Sequence, residues 1–336
     1  MSEAFSPWQA RALDGALDAL ARGRLGHATL LRGPERLGKR AVADALARRL
    51  LCTQAEGAQQ ACGACRGCRL LASGTHPDFR MVTLEVNPNT DKLRTEIVIE
   101  QIRQLGEWFA LTSQFGGAQV ALIDPADQLN VAAANALLKT LEEPSQDRYL
   151  LLVGSRPARL PATIRSRCQS IEFRLPPHAE ALAWLARRGG GDAGTALEAA
   201  RGHPGLAAEW LDAGALALRA QVRDELAEVG AGTASAVEVA ARWTADEQAP
   251  LRLRFAADLA LERAGELTGA QPQARSGLTA VTAFQKLSAW FDAANRTRDL
   301  LRTTVRADLA VAGLLHQWRD ACAGARGEAP TRRGTR

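Results

Sequence analysis

Four cysteines are spaced in this chain as a metal centre requires. Cys52, Cys62, Cys65 and Cys68 run C-x9-C-x2-C-x2-C. A tetrahedral zinc ion takes four such ligands, with sulfur at about 2.3 Å from the metal. Two-residue gaps let a tight turn aim successive thiolates inward, and Gly63 and Gly67 are read as the permissive backbone between them. Cys52 closes the set from the end of the preceding helix. Four protein thiolates leave no open position for water, so the expected role of Zn²⁺ is structural. Four reduced, unligated thiols are the plain alternative. His76 is a spare ligand that a fourth cysteine makes unnecessary. Cys168 and Cys322 stand alone and read as small buried hydrophobes.

A phosphate-binding pattern lies just upstream. Gly33-Pro34-Glu35-Arg36-Leu37-Gly38-Lys39-Arg40 follows a short apolar run, HATLLR, and opens a helix. That context gives a G-x4-G-K match its meaning: Gly33 and Gly38 shape the loop, and backbone N–H groups and Lys39 would cradle phosphates. The residue after the lysine is normally Ser or Thr, a ligand for Mg²⁺. Here it is Arg40, whose fixed positive charge opposes a metal. Asp124 ends the run VALID in the position of a metal-organising carboxylate, but the next residue, where a water-polarising Glu would stand, is Pro125. Two losses argue against hydrolysis by this chain alone. Nucleotide binding without turnover stays open.

The elements that must position these groups alternate. Trp8 to Gly23 has helical apolar spacing and ends at glycine. Strands are expected over 27–32, 79–84, 119–124, 149–154 and 168–173, with helices over 39–51, 97–111 and through 135–141. VNPNTDKLRTE, from Val86, has the polar, turn-rich composition of an exposed loop. Strand–helix alternation predicts an α/β fold with a parallel sheet. After Phe173 the strands stop. Boundaries fall near Leu175-Pro176-Pro177 and Asp212-Ala213-Gly214, and helices are expected over 215–229, 233–243, 248–266, 277–300 and 306–323.

Composition narrows the class. The 336 residues are 46% hydrophobic and 24% charged, ordinary for a globular protein with two or three cores. No apolar run approaches the ~20 residues that span a bilayer, and the N-terminus carries no signal-like stretch, so the cytoplasm is expected. The net charge of +5 permits nucleic-acid contact without requiring it. Lysine occurs only at Lys39, Lys92, Lys139 and Lys286, so the abundance of arginine reads as coding bias before it reads as function.

The order of GPERLGKR, CGACRGC, THPDF, VIEQIRQL, NALLKTLEEP and SRPARLPATIRSRC closely resembles clamp-loader subunits of the AAA+ class. The resemblance is dense in motifs over about residues 25–175 and only topological beyond. It implies an AAA+ α/β domain over 1–174 with a zinc module at about 52–68, a helical lid over 175–213, a helical collar for oligomerisation over 214–325 and a disordered tail over 326–336. It also implies that Ser166-Arg167-Cys168 presents Arg167 as an arginine finger to ATP bound by a neighbouring subunit. The implied partners are the motor (gamma/tau) and delta subunits, the sliding clamp and, through the assembled ring, primed DNA. Arg36, Arg40, Pro125 and Gly205 depart from the motor-subunit pattern, as though the chain completes a neighbour's site without turning over ATP itself. An active motor ATPase and a zinc-dependent nucleic-acid-binding module remain as rival readings. Arg332 and Arg333 of the tail could touch nucleic acid, though a solvated tail is the simpler reading.

Overall fold

Five short segments pair edge to edge into one parallel sheet, whose three central strands are apolar and buried on both faces while the two edge strands stay partly exposed. The computed structural model describes residues 5–54, 60–88, 90–189, 191–269, 277–301, 303 and 305–325; the tail over 326–336 lies outside them. The order along the chain is α1 (Pro7–Ala21), β1 (Ala28–Arg32), α2 (Lys39–Leu50), α3 (Arg66–Ala72), β2 (Phe79–Val82), β3 (Val86–Asn87), β4 (Lys92–Leu93), α4 (Ile99–Ala110), β5 (Gln119–Ile123), α5 (Val131–Glu142), β6 (Arg148–Gly154), α6 (Ala162–Arg167) and β7 (Gln169–Glu172). The helices α7 (His178–Arg188), α8 (Ala193–Ala199), α9 (Pro204–Asp212), α10 (Ala215–Ala231), α11 (Ala236–Trp243), α12 (Ala249–Gly269), α13 (Gly277–Leu300) and α14 (Ala307–Ala325) follow.

The sheet order is β2-β5-β6-β1-β7, with every pairing parallel. Successive side chains on a strand point to opposite faces, and the two cores divide accordingly. Ala28 and Leu30 of β1, with Ala121, Ile123, Leu150 and Leu152, pack against α4, α5 and α6. Leu31, Val120, Leu122, Leu151 and Val153 pack against α1 and α2. The stretch read as a loop from Val86 contains a two-stranded antiparallel hairpin, β3 with β4. Its backbone closes through Asp91 N–H to Asn87 O at 2.9 Å, a turn bond that polar composition permits but does not announce.

The described residues fall into two compact units, one within residues 1–189 and 193–208 and the other within residues 190–192 and 209–336. In the second unit, buried tryptophans tie helices together through their indole N–H groups. Trp318 donates to Leu226 O at 2.7 Å, Trp290 to Leu314 O at 2.8 Å and Trp243 to Glu225 Oε2 at 2.5 Å. Each ring buries a large apolar area while its one polar atom stays satisfied. No helix among the described residues is long and apolar enough to cross a membrane.

Candidate functional site

The cysteine insert leaves the C-terminal end of α2 and returns through α3. Cys52 follows the cap residue Leu51, Cys65 caps α3 and Cys68 lies in its first turn. All four sulfurs lie within 4.8 Å of one another, and Cys52 Sγ is 3.9 Å from Cys65 Sγ. Four sulfurs at about 2.3 Å around zinc would stand about 3.8 Å apart, so the cluster is close to the size such an ion needs. The chain also aims amides at sulfur. Cys62 N–H points to Cys52 Sγ at 3.4 Å, Cys65 N–H to Cys62 Sγ at 3.3 Å and Cys68 N–H to Cys65 Sγ at 3.4 Å. Burial pushes the Cys65 thiol up, but hydrogen bonds from Thr53 and from Cys68 outweigh it and bring Cys65 to about 5. Burial, reinforced by Cys65, pushes Cys68 up to about 12. Neighbouring thiols that repel each other's ionisation are what a cation relieves. These four residues could hold a metal ion.

Gly63 takes the left-handed φ of 72° that the spacing suggested. Gly67 works differently: it sits in the helix α3, and a Cβ there would lie 2.5 Å from Leu51 O. Glycine is needed at that position for close approach, not for backbone freedom. The segment Thr75-His76-Pro77-Asp78 ties the insert to the sheet. Asp78 is 1% exposed and accepts from Gln114 N–H at 2.8 Å and Phe115 N–H at 3.0 Å. Burial holds the His76 imidazole below its ordinary value.

The loop between β1 and α2, where the phosphate-binding pattern lies, is filled by the protein's own groups. Lys39 is 4% exposed and donates to Gly33 O at 2.8 Å and Pro34 O at 2.6 Å. Burial lowers its pKa. Arg40 pairs with Asp44 at 2.9 Å, an i,i+4 contact on α2, and donates to Asp124 Oδ2 at 3.3 Å. Burial raises the Asp124 carboxyl, and the Arg40 guanidinium pulls against that rise. Gln9 of α1 presses on the loop so closely that a Cβ on Gly38 would stand 1.4 Å from its Nε2. Trp8 donates to Leu37 O at 3.1 Å. From the far end of the unit, Gly205 meets the loop: a Cβ there would lie 1.9 Å from Arg36 O, and Arg36 itself takes φ 59°.

Arg167 closes α6. It donates to Thr163 O at 3.0 Å and pairs with Glu142 at 2.8 Å, with side chains 38% and 49% exposed. Ser166 Oγ donates to the same Thr163 O at 3.1 Å. Cys168 packs against the core below, and burial pushes its thiol up to about 11. The structure thus joins Gly33, Gly38, Lys39 and Asp124 at one place, the four cysteines at a second and Ser166, Arg167 and Cys168 at a third.

Sequence reasoning singled out Arg40 and Asp124 but passed over their contact, and it gave no site role to Asp44, Trp8 or Gln9. Arg40 and Asp44 carry a readable i,i+4 signal. Trp8, Gln9 and the Arg40–Asp124 pair carry none, because their partners are distant in the chain. A cavity of about 730 Å³ between α4 and α5, lined among others by Ile102, Arg103, Phe109, Lys139 and Arg148, shares no residue with the three places. It does take in Asn135, Lys139 and Pro144 of the NALLKTLEEP stretch.

Comparison with known proteins follows the same part of the chain. The family profile described as "DNA polymerase III, delta subunit" matches residues 8–177. A Pseudomonas aeruginosa protein named DNA polymerase III subunit delta' is 46% identical over 181 residues, covering 54% of this chain and 52% of its relative. The Escherichia coli protein of the same name is 38% identical over the same span, with the same coverage. The chain thus spans about half the length of these curated relatives. Among solved structures, a DNA polymerase III gamma subunit-related protein of Thermotoga maritima aligns with 91% of this chain and 99% of its own, at 17% identity and a TM-score of 0.48.

Proposed function

The chain belongs to the DNA polymerase III delta subunit family, and from that membership we propose that it is a non-hydrolysing clamp-loader subunit, of the delta-prime type named among its relatives. In this reading it assembles with gamma/tau motor subunits and a delta subunit, and helps them load the sliding clamp onto primed DNA. ATP is bound and turned over by its neighbours, to one of which it offers Arg167 in trans.

The observation that carries the reading is the Arg40–Asp124 contact. A nucleotide's magnesium needs a hydroxyl after the loop lysine and a free carboxylate nearby. This chain puts a guanidinium in place of the first and spends the second on it. Lys39, the loop's phosphate ligand, is turned onto the loop's own carbonyls. Pro125 stands where a carboxylate would polarise water. Arg167 is placed differently. Its pair with Glu142 is half exposed, and such pairs contribute about 0–1 kcal/mol. A γ-phosphate from another chain could displace Glu142 at little cost.

The four cysteines support structural zinc. Bound there, the ion would cross-link Cys52 to the α3 turn and do no chemistry on a substrate. Three amide donors orient the sulfurs, and Gly67 admits the close approach of Leu51 O.

The test is ATP turnover by the purified chain, alone and after mixing with candidate motor subunits. Expected are no measurable hydrolysis alone, co-elution with the motor subunits, and higher clamp-stimulated turnover in the mixture than in a mixture lacking this chain. Robust magnesium-dependent hydrolysis by the chain alone would reassign it as a motor subunit.

A further inference from the structure

His76 is 5% exposed, and its Nε2 has no hydrogen-bond partner among the described residues. Its tautomer follows from geometry. Asp78 N–H lies 3.1 Å from Nδ1, and a backbone amide can only donate. Nδ1 is therefore the acceptor, and the ring proton sits on Nε2. A buried N–H left unpaired keeps the cost of its lost hydration, so an acceptor for it is worth finding.

The imidazole tip abuts the first turn of α3: a Cβ built on Gly67, between Arg66 and Cys68, would lie 3.4 Å from Nε2. The ring is held there from several sides. Phe115 lies against it, tilted by 34° with centroids 5.2 Å apart, and Arg66 of α3 lies over the same Phe115 at 5.3 Å. The Asp78 carboxylate fixes the Phe115 backbone at 3.0 Å. The three amide-to-sulfur bonds of the turn serve Cys52, Cys62 and Cys65. A metal ion bound by four thiolates carries excess negative charge on sulfur, and protein donors around such ligands tune how firmly they hold.

We propose that His76 is a positioning residue for the four-cysteine centre: its Nε2–H is the outer donor to a thiolate of the α3 turn when the ion is bound. The inference rests on the reading of the cysteines as zinc ligands. It assigns the THPDF segment a task toward the metal that is not ligation, and it accounts for a buried donor that otherwise has no acceptor.

The experiment uses the full chain loaded with Zn²⁺ or Co²⁺. His76→Phe keeps a ring and removes the donor; His76→Gln keeps a donor; Phe115→Leu loosens the ring contact and leaves the donor alone. Metal content, the rate of zinc transfer to an excess of chelator, and the thiolate-to-cobalt absorption bands are read for each. Wild type and all variants should bind about one ion per chain. His76→Phe should release it about 10–100-fold faster, while His76→Gln and Phe115→Leu stay closer to wild type. The cobalt bands should keep a four-sulfur position throughout.

Release from His76→Phe at the wild-type rate overturns the proposal, as does equally fast release from Phe115→Leu, which would make the effect one of packing. A His76→Phe cobalt spectrum that loses a nitrogen contribution present in wild type overturns it in favour of ligation. Wild type that binds no ion overturns the zinc reading and this proposal together, a result distinct from the others. Far-UV circular dichroism confirms that each variant is folded, and His76→Leu replaces His76→Phe if the latter is not.

Discussion

Arg40 and Asp124 show how much of a site one substitution can reassign. The types of both residues were legible, and so was the conflict between a guanidinium and a metal ion. Their 3.3 Å contact was not, because nothing local links positions 40 and 124. Arg40→Thr would supply the hydroxyl a magnesium ion uses, yet turnover should stay undetectable in an ATP hydrolysis assay because Pro125 remains. Asp124 would lose the charge that opposes its burial, so its carboxyl should titrate still higher, measurable by NMR of the side-chain carbon. The cysteines were legible for the opposite reason: their spacing is local, and the turn that gathers them is encoded within it. Cys65→Ser removes the sulfur that both accepts the Cys68 amide and caps α3. It should lose stoichiometric metal on elemental analysis and loosen the insert, seen as faster proteolysis there. Circular dichroism of the sheet and helices should stay close to wild type, because the two cores of the sheet include none of the four cysteines.

Elements were easier to read than the contacts between them. The central strands β1, β5 and β6 announce themselves as short apolar runs buried on both faces, and α10 to α14 as long amphipathic stretches, while the edge strands β2 and β7 are partly exposed and show less of a pattern. The β3–β4 hairpin was missed because two residues per strand are too few for a period to show. The approach of Gly205 to Arg36 was invisible as well, since a glycine at a helix start reads as a boundary and not as a contact. One link between elements has a pH signature. Arg252 of α12 is 8% exposed and bonds Trp243 O at 3.1 Å and Asp246 Oδ2 at 2.8 Å, closing the turn from α11 to α12. The hydrogen bond from Arg252 brings the Asp246 carboxyl down from 3.8 to about 2. A carboxyl depressed on folding contributes stability that is fully present above its unfolded value and is lost as pH falls through the folded one. Wild type should therefore lose melting temperature between about pH 4 and pH 2 more steeply than Asp246→Asn, and the two curves should run parallel above that window. Equal slopes below pH 4 would remove this pair from the acid transition.

At the scale of the whole molecule, the proposed role divides labour between a nucleotide loop closed by its own residues and an arginine carried on α6. The family match covers residues 8–177, which include both. On that proposed role, Arg167 is the residue that would make the chain a partner in a neighbour's chemistry and not only a scaffold. In the isolated chain it bonds Thr163 O and Glu142, so its guanidinium is already presented with a carboxylate, the kind of group a phosphate replaces. A finger acts by meeting negative charge as it redistributes on a transferring phosphoryl group, and the best-studied fingers contribute about 10³–10⁵ in rate. On the proposed role, a ring with several motor sites would depend on this arginine for a single site, so the loss in the assembled complex should be smaller than that. Arg167→Ala should leave the chain folded, since an exposed pair of this kind contributes about 1 kcal/mol at most. Size-exclusion chromatography with motor subunits should still show assembly, while clamp- and DNA-stimulated ATPase and the rate of clamp loading fall. Arg167→Lys should rescue poorly, because an ammonium lacks the planar fork of guanidinium. Glu142→Gln makes the complementary test: it releases Arg167 from its local partner without removing it, so stimulated turnover should be kept or raised. Wild-type loading by Arg167→Ala complexes would mean that the Glu142 pair is the whole of this arginine's role and that the chain serves the ring only as a scaffold.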